Sequence, residues 1–289
     1  MALEFEAQRP RLFSLAYRML GSAAEAEDAV QDTYLKWHGA LREEISNPSA
    51  WLAKVLTNLC LNRLTSARVR RERYVGPWLP EPVRTDGGVL GPLETAEQRD
   101  SVSLAVLVLM ERLTPAERAC VVLRDAFEYS HREIAEVLDV SEAGARQTYR
   151  RAKQHLAEGR PRFDSAPAPQ TELLQSFLAA AAEGSLGKLE ALLAEEVVAW
   201  SDGGGKVRAA IRPVYGPNNV ARFLLGVLAR FGEGFELAFA EVNGAATVLA
   251  REDGQLTAAA TVEGEHGRIT GIRILRNPDK LAFLAAQTG

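Results

Sequence analysis

One helix-start signal occurs twice in quick succession near the middle of this chain, and it restricts what the region can fold into. Thr114-Pro115-Ala116-Glu117 is a capping box with proline at the first helical position, and Ser130-His131-Arg132-Glu133 is a second capping box. After the second box, Ile134, Ala135 and Leu138 make a short apolar face. Asp139-Val140-Ser141 then leaves room only for a tight turn, and Ser141 can cap the next helix, Glu142–His155. A short capped helix, a three-residue turn and a basic helix make a helix-turn-helix. In that unit the second helix enters the DNA major groove and its N-terminal residues meet base edges. Arg146 suits guanine and Gln147 suits adenine. Ser141 stands at the head of this helix, and Arg150, Arg151 and Lys153 further along suit phosphates. Two residues work against the pattern. Asp139 occupies a turn position that Gly or Asn adopts more easily. Gly144 lies inside the reading helix, where it costs up to about 1 kcal/mol against Ala.

The formal net charge of −4 argues by itself against a nucleic-acid partner. The distribution argues otherwise. Residues 61–84 hold six arginines against Glu72 and Glu81, and residues 142–155 hold four basic side chains against Glu142. The first 45 residues hold five basic and eight acidic side chains. Phosphate contacts need local positive charge rather than a basic total. Cys60 and Cys120 lie in apolar helical runs, which fits buried inert thiols in a reducing compartment. No apolar run reaches membrane-spanning length and no cleavable signal is evident, so a cytoplasmic protein without membrane contact is expected.

Apolar spacing predicts two helices over residues 8–38, broken at Gly21-Ser22, and a third from Asn47-Pro48 to about Arg71. Residues 76–92 contain four prolines and four glycines and read as a linker. Residues 93–158 return to helix, and Pro161–Pro169 reads as a second linker. After Thr171 come two short helices, at about 172–182 and 186–194. Strand-like runs at Glu196–Ser201 and Val207–Tyr215 then flank a glycine-rich turn. A helix at about Pro217–Phe231 precedes strands at Glu236–Val242, Ala246–Arg251, Leu256–Val262 and Arg268–Leu275, with a last short helix from Asn277-Pro278. Helices followed by an antiparallel meander indicate an α+β domain.

Leu113-Thr-Pro-Ala-Glu-Arg, Tyr129-Ser-His-Arg-Glu-Ile-Ala-Glu-Val-Leu and Arg150-Arg-Ala-Lys resemble the C-terminal promoter-binding domain of extracytoplasmic-function sigma factors. In that family the domain reads the minus-thirty-five element, to which the resemblance assigns Ser141, Arg146, Gln147, Arg150, Arg151 and Lys153. Asp28-Ala-Val-Gln-Asp-Thr-Tyr-Leu-Lys-Trp37 resembles the family's polymerase-docking helix. Asp28, Asp32 and Lys36 recur every fourth residue as one charged stripe. The resemblance assigns Asp28, Gln31, Asp32 and Lys36 to core RNA polymerase. Trp51, Lys54, Asn58 and Asn62 form a second stripe away from the leucines, extended by Arg63, Arg68, Arg70, Arg71 and Arg73; aromatic and amide groups beside arginines suit unstacked bases. The resemblance assigns Trp51, Lys54, Asn58, Asn62 and Arg63, with the loop at about Glu43–Ser49, to the minus-ten element.

The C-terminal helix and strand order resembles the SnoaL-like fold of the nuclear-transport-factor-two-like superfamily, a cone with a pocket. Trp78-Leu-Pro-Glu-Pro82, Asp202-Gly-Gly-Gly-Lys206 and Asn277-Pro-Asp-Lys-Leu281 resemble segments of a sigma-factor group that carries this domain. That implies regulation in cis, with Trp78, Leu79, Pro80, Glu81, Pro82, Asp202, Lys206, Asn277, Pro278, Asp279 and Lys280 as regulatory contacts. The expected organisation is two all-α sigma domains, the second a helix-turn-helix, followed by an α+β SnoaL-like cone. The boundaries are 1–75 (region two), 76–100 (linker), 101–160 (region four), 161–170 (linker) and 171–289 (regulatory domain). Expected partners are core RNA polymerase and promoter DNA, with room for a small-molecule ligand in the cone, and a monomer when free.

The same residues admit two other readings. One is a DNA-binding transcriptional regulator with a ligand-sensing domain, for which the acidic stripe at Asp28–Lys36 has no use. The other is an isomerase- or cyclase-type enzyme fused to a DNA-binding domain, which needs a buried acid–base group; Asp202, Glu263 and His266 are the candidates. Asp202 precedes three glycines as a turn former does, and Glu263 and His266 flank Gly264 in an expected hairpin turn. The expectation is no catalysis, no cofactor and no metal, since His38, His131, His155 and His266 show no ligand spacing. Arg146→Ala should change the preferred upstream element, whereas Arg151→Ala should weaken binding evenly and flatten its salt dependence. Anisotropy titrations over a salt series check this, and the same uniform loss for both would contradict the assigned reading edge.

Overall fold

The computed structural model describes residues 2–41, 45–90, 101–159, 167–231 and 234–289. These form two compact units. Unit one is Met1–Glu72 with Gly87–Arg160, and unit two is Arg73–Asp86 with Pro161–Gly289. The proline-rich segment 73–86 therefore folds with the second unit. Glu43 and Glu44 of the expected minus-ten loop, residues 91–100 of the first expected linker and residues 161–166 of the second lie outside the described residues.

Unit one is helical: α1 (Ala2–Leu20), α2 (Ala23–Gly39), α3 (Pro48–Glu72), α4 (Leu104–Met110), α5 (Pro115–Val121), a π turn (Val122–Ala126), α6 (His131–Leu138) and α7 (Glu142–Gly159). Gly21 takes a positive φ of 66°, and the Ser22 hydroxyl caps α2 by accepting the Glu25 N–H at 3.1 Å. Leu12, Leu15, Met19, Leu20, Val30, Leu52 and Leu56 are buried between the first three helices. Two buried arginines tie these helices to the later ones. Arg118 of α5 donates to the Met19 carbonyl at 2.7 Å and the Met110 carbonyl at 3.1 Å, and Arg18 of α1 donates to Ser101 Oγ at 2.9 Å. Burial lowers Arg118 to about 9 and Arg18 to about 10, so each guanidinium needs those acceptors to remain charged at low cost. Arg71, expected to extend a DNA-facing stripe, instead donates to the Leu20 carbonyl at 2.7 Å and pairs with Glu111. The side chains of Arg68 and Arg70 lie outside the described residues.

Unit two contains α8 (Pro167–Ala182), α9 (Leu186–Leu192), β1 (Leu193–Asp202), β2 (Val214–Tyr215), α10 (Pro217–Phe231), β3 (Phe235–Val242), β4 (Ala245–Glu252), β5 (Gln255–Glu265), β6 (Arg268–Leu275) and α11 (Pro278–Thr288). The sheet order is β2-β1-β6-β5-β4-β3. Strands β3 to β6 are the expected meander, but β1 lies beside β6 in parallel, with Ala199 opposite Ile272. The core is formed by Leu174, Phe177, Leu189, Val197, Val220, Leu224, Ile272 and their neighbours. Two expectations need correction. The strand expected over Val207–Tyr215 shrinks to Val214–Tyr215, because the Lys206 and Val207 N–H groups fold back onto the Gly203 carbonyl and Pro213 offers no donor. Helix α8 begins at Pro167, inside the stretch read as linker, because prolines at the start of a helix have no N–H bond to lose.

The second capping box is formed as the sequence predicts. The Ser130 hydroxyl accepts the Glu133 N–H at 3.2 Å, and the Ser130 N–H donates to Glu133 Oε2 at 2.7 Å. Bonds from the Ser130 hydroxyl and N–H hold the Glu133 carboxyl below its ordinary value. A carboxyl lowered in the folded state contributes its stability in full above the ordinary carboxylate range, and that contribution is lost as pH falls through the lowered value. Ser130→Ala should raise the Glu133 titration midpoint and cost about 1 kcal/mol. An NMR titration and urea unfolding check both.

Candidate functional site

Asp202 ends β1 with 0% exposure, and a buried carboxylate must find donors for both oxygens. Oδ1 accepts the Tyr74 hydroxyl at 2.6 Å and the Gly204 N–H at 3.0 Å. Oδ2 accepts the Leu79 N–H at 2.9 Å and Lys280 Nζ at 2.7 Å. Lys280 is also buried. Its ammonium donates to the Leu79 carbonyl at 2.5 Å and lies 4.5 Å and 4.4 Å from the ring centres of Tyr74 and Trp78, within cation–π range. One ion pair thus collects Tyr74, Trp78 and Leu79 from segment 73–86. Burial, followed by the bond to Asp202, pushes the Tyr74 phenol far above its ordinary value.

The flanking motif residues complete this site. Gly204 and Gly205 have positive φ; a Cβ on Gly204 would overlap the Asn277 amide, and one on Gly205 would press on Val75. Asn277 caps α11 by accepting the Asp279 N–H at 3.1 Å, and its Nδ2 donates to the Tyr74 hydroxyl oxygen at 2.8 Å. Pro278 takes the first helical position, and Lys206 pairs with Asp279 at the surface. Pro80 and Pro82 are buried and Glu81 is half-buried. The second half of the docking involves residues outside the three marked motifs. The Val83 N–H donates to Asn243 Oδ1 at 3.0 Å, the Thr85 N–H to the Glu241 carbonyl at 3.0 Å, and the Arg84 N–H to Gln287 Oε1 at 2.9 Å. The Asn243-Gly244 pair between β3 and β4 was the available signal: both residues have positive φ, as a two-residue hairpin turn requires.

In unit one the helix-turn-helix is closed by Asp139 in the left-handed region, at φ 53° and ψ 45°. The Ser141 hydroxyl accepts the Gly144 N–H at 3.1 Å, and a Cβ on Gly144 would lie 3.2 Å from that hydroxyl oxygen. Ala145, Ala152 and Leu156 face inward. Arg146, Gln147, Arg150, Arg151 and Lys153 are exposed; Arg146 pairs with Glu142 at 2.8 Å and Lys153 with Asp125 at 3.1 Å.

On α2, Asp28, Gln31 and Lys36 are exposed and Asp32 is half-buried. Arg63, grouped by sequence with the minus-ten residues, lies against Asp32 at 2.7 Å and Asp28 at 3.8 Å, so by contact it belongs with the acidic stripe. Asn58 and Asn62 are exposed, and Trp51 rests half-buried on Trp37 with ring centres 5.6 Å apart. Lys54 reaches the turn of the helix-turn-helix, with Nζ 2.7 Å from Asp139 Oδ1 and 2.8 Å from the Glu136 carbonyl.

The other acid–base candidates are separated. Glu263 lies within β5 rather than in a turn and pairs with the buried Arg273, which stacks 4.6 Å from the Trp200 ring centre. Burial lowers Arg273 to about 9. Only His266, exposed at a φ of 51°, occupies the β5–β6 turn. Burial pushes the Cys60 thiol up to about 12 and Cys120 up to about 11, far from reactive values. Among the described residues no helix is long and apolar enough to cross a membrane, and no cluster of three or more His, Cys, Asp or Glu could hold a metal.

Residues 5–70 match the family model Sigma-70 region 2, and residues 103–156 match Sigma-70, region 4. The chain is 37% identical over 287 residues to the ECF RNA polymerase sigma factor SigJ of Mycobacterium tuberculosis (strain ATCC 25618 / H37Rv), spanning 96% of this chain and 92% of that protein. It is 29% identical to the probable ECF RNA polymerase sigma factor SigI of the same strain, over 99% of this chain and 96% of that protein. The crystal structure of the Mycobacterium tuberculosis SigJ superposes with a TM-score of 0.77 at 33% identity, covering 98% of this chain and 99% of that one.

Asp202→Ala strands the Lys280 ammonium in a buried site and should destabilise unit two by about 3–5 kcal/mol. Adding Lys280→Met should restore part of that loss, because the uncompensated charge is gone. Urea unfolding reads the stability, and faster tryptic cleavage after Arg73 and Arg84 in Asp202→Ala reads release of the segment.

Proposed function

The chain belongs to the extracytoplasmic-function RNA polymerase sigma factors, and from that premise we propose that its C-terminal α+β unit governs promoter recognition in cis by holding the segment between the two promoter-reading regions. As an alternative sigma factor it serves promoter-specific transcription initiation with core RNA polymerase. The observation that carries the regulatory reading is the docking of residues 74–85 through Asp202, Lys280, Asn243 and Glu241. A proline-rich connector left in solvent would span a broad range of lengths. Docked, it has one path, and the separations open to the two DNA-reading regions narrow accordingly.

Within unit one, the exposed stripe of Asp28, Gln31, Asp32 and Lys36 is assigned to polymerase. Trp51, Lys54, Asn58 and Asn62 are assigned to the minus-ten element, and Arg146 and Gln147, with the phosphate contacts of Arg150, Arg151 and Lys153, to the minus-thirty-five element. Arg63 serves the acidic stripe. We read unit two as non-catalytic: Asp202 and Glu263 are each spent on a buried cation, a poor state for a general base. The protein acts in the cytoplasm, where its polymerase works, and a ligand of the α+β unit is a regulator rather than a substrate.

The test is transcription in vitro with sigma-free core polymerase on promoters whose spacer between the two elements varies one base pair at a time. The full chain should initiate within a narrow spacer range. The range should widen in Asp202→Ala, and Asp28→Lys with Asp32→Lys should abolish initiation. No promoter-specific transcript from the full chain, or the same spacer range in both proteins, would contradict the reading.

A further inference from the structure

A groove of about 370 Å³ opens in unit two between the end of β1, the segment after Lys206, α10 and the end of β6. That volume lies at the lower end of small-molecule sites. Phe223, Val227 and Ile274 supply apolar walls, Arg208, Arg222 and Arg276 supply three guanidiniums, and among the described residues no carboxylate lines it. Arg276 donates to the Arg208 carbonyl at 2.7 Å, and Arg222 donates to Asn218 Oδ1 at 2.9 Å. Glu252 acts on Arg276 through space but is not part of the lining.

A second observation is independent of charge. Gly226 lines the same groove from the middle of α10, where glycine is worse than alanine for the helix. A Cβ built on Gly226 meets no atom within 4 Å. Packing among the described residues therefore does not require glycine there, and a side chain at this position would enter the groove. The walls also continue into the linker site. Ser201 precedes Asp202, and the Arg276 N–H donates to the Asp202 carbonyl at 2.8 Å. Gly76 of the docked segment approaches Ile211, next to the lining residue Ala210.

We propose that this groove binds a small amphipathic carboxylate, its acid group among Arg208, Arg222 and Arg276 and its apolar body against Phe223, Val227 and Ile274, and that occupancy is transmitted to the docked segment 74–85. Three cations lining one groove select an anion, and the apolar walls select against a bare inorganic one. The transmission rests on the regulatory role proposed above; the binding does not.

The probe is decanoate below its micelle concentration, titrated calorimetrically into the full chain beside decyltrimethylammonium and inorganic phosphate. Decanoate should bind saturably at one site, and the two controls at least tenfold more weakly. Arg208→Ala with Arg222→Ala should weaken decanoate at least tenfold. Gly226→Leu should abolish binding while raising the thermal midpoint, which separates a filled groove from a damaged fold. Bound decanoate should change the rate of tryptic cleavage after Arg84 at least threefold. A flat titration, equal binding of either control, or full binding by Gly226→Leu overturns the site. Binding without a change in cleavage overturns the transmission. Neither result bears on the spacer dependence by which the regulatory role itself is judged.

Discussion

A carboxylate and an ammonium buried together are tolerated only when every donor and acceptor around them is met. The Asp202–Lys280 pair satisfies this with groups drawn from four places: the end of β1, the glycine turn after it, the start of α11, and segment 73–86. Remove the segment and Asp202 loses the Tyr74 hydroxyl and the Leu79 amide, while Lys280 loses a carbonyl and two aromatic faces. The site is therefore incomplete without the segment. Such a pair adds little net stability over an apolar replacement, but breaking it by removing one partner is costly. Here the arrangement that completes the pair is a single path for a proline-rich stretch.

That constraint has a functional side because of where the stretch lies in the chain. It connects the region that resembles a minus-ten reader to the region that carries the helix-turn-helix, and both of those belong to unit one. In the free chain Lys54 of the first region already contacts Asp139 and Glu136 of the second. Reading DNA with Lys54 means exchanging those partners for phosphate or base. The groove beside β1 and β6 then offers a route by which a small acid could act on the same backbone that holds the segment.

Much of this was legible because its signals are local. Capping boxes, the Asp139 turn and the strand-forming composition of β3 to β6 depend on residues a few positions apart. The three marked segments, 78–82, 202–206 and 277–281, stand out by proline, glycine and asparagine, and they meet in one site. What stayed hidden depends on partners far apart in sequence. The parallel pairing of β1 with β6 has no local signature. Glu263 looked like a turn residue because Gly264 follows it, yet its ion pair with Arg273 holds it in a strand. Arg63 and Arg71 looked like parts of one DNA-facing run, yet each is claimed by an acid elsewhere in unit one. Val207–Tyr215 had the composition of a strand but lacked a partner for its first half.

Segment 73–86 is a structural part of the α+β unit. Amide hydrogen exchange on the full free chain reads this directly. The Leu79, Val83 and Thr85 amides, which donate to Asp202, Asn243 and Glu241, should be protected to the same degree as amides in β6. Exchange at those three positions as fast as at an exposed loop such as Ile211–Arg212, with β6 still protected, would contradict the account.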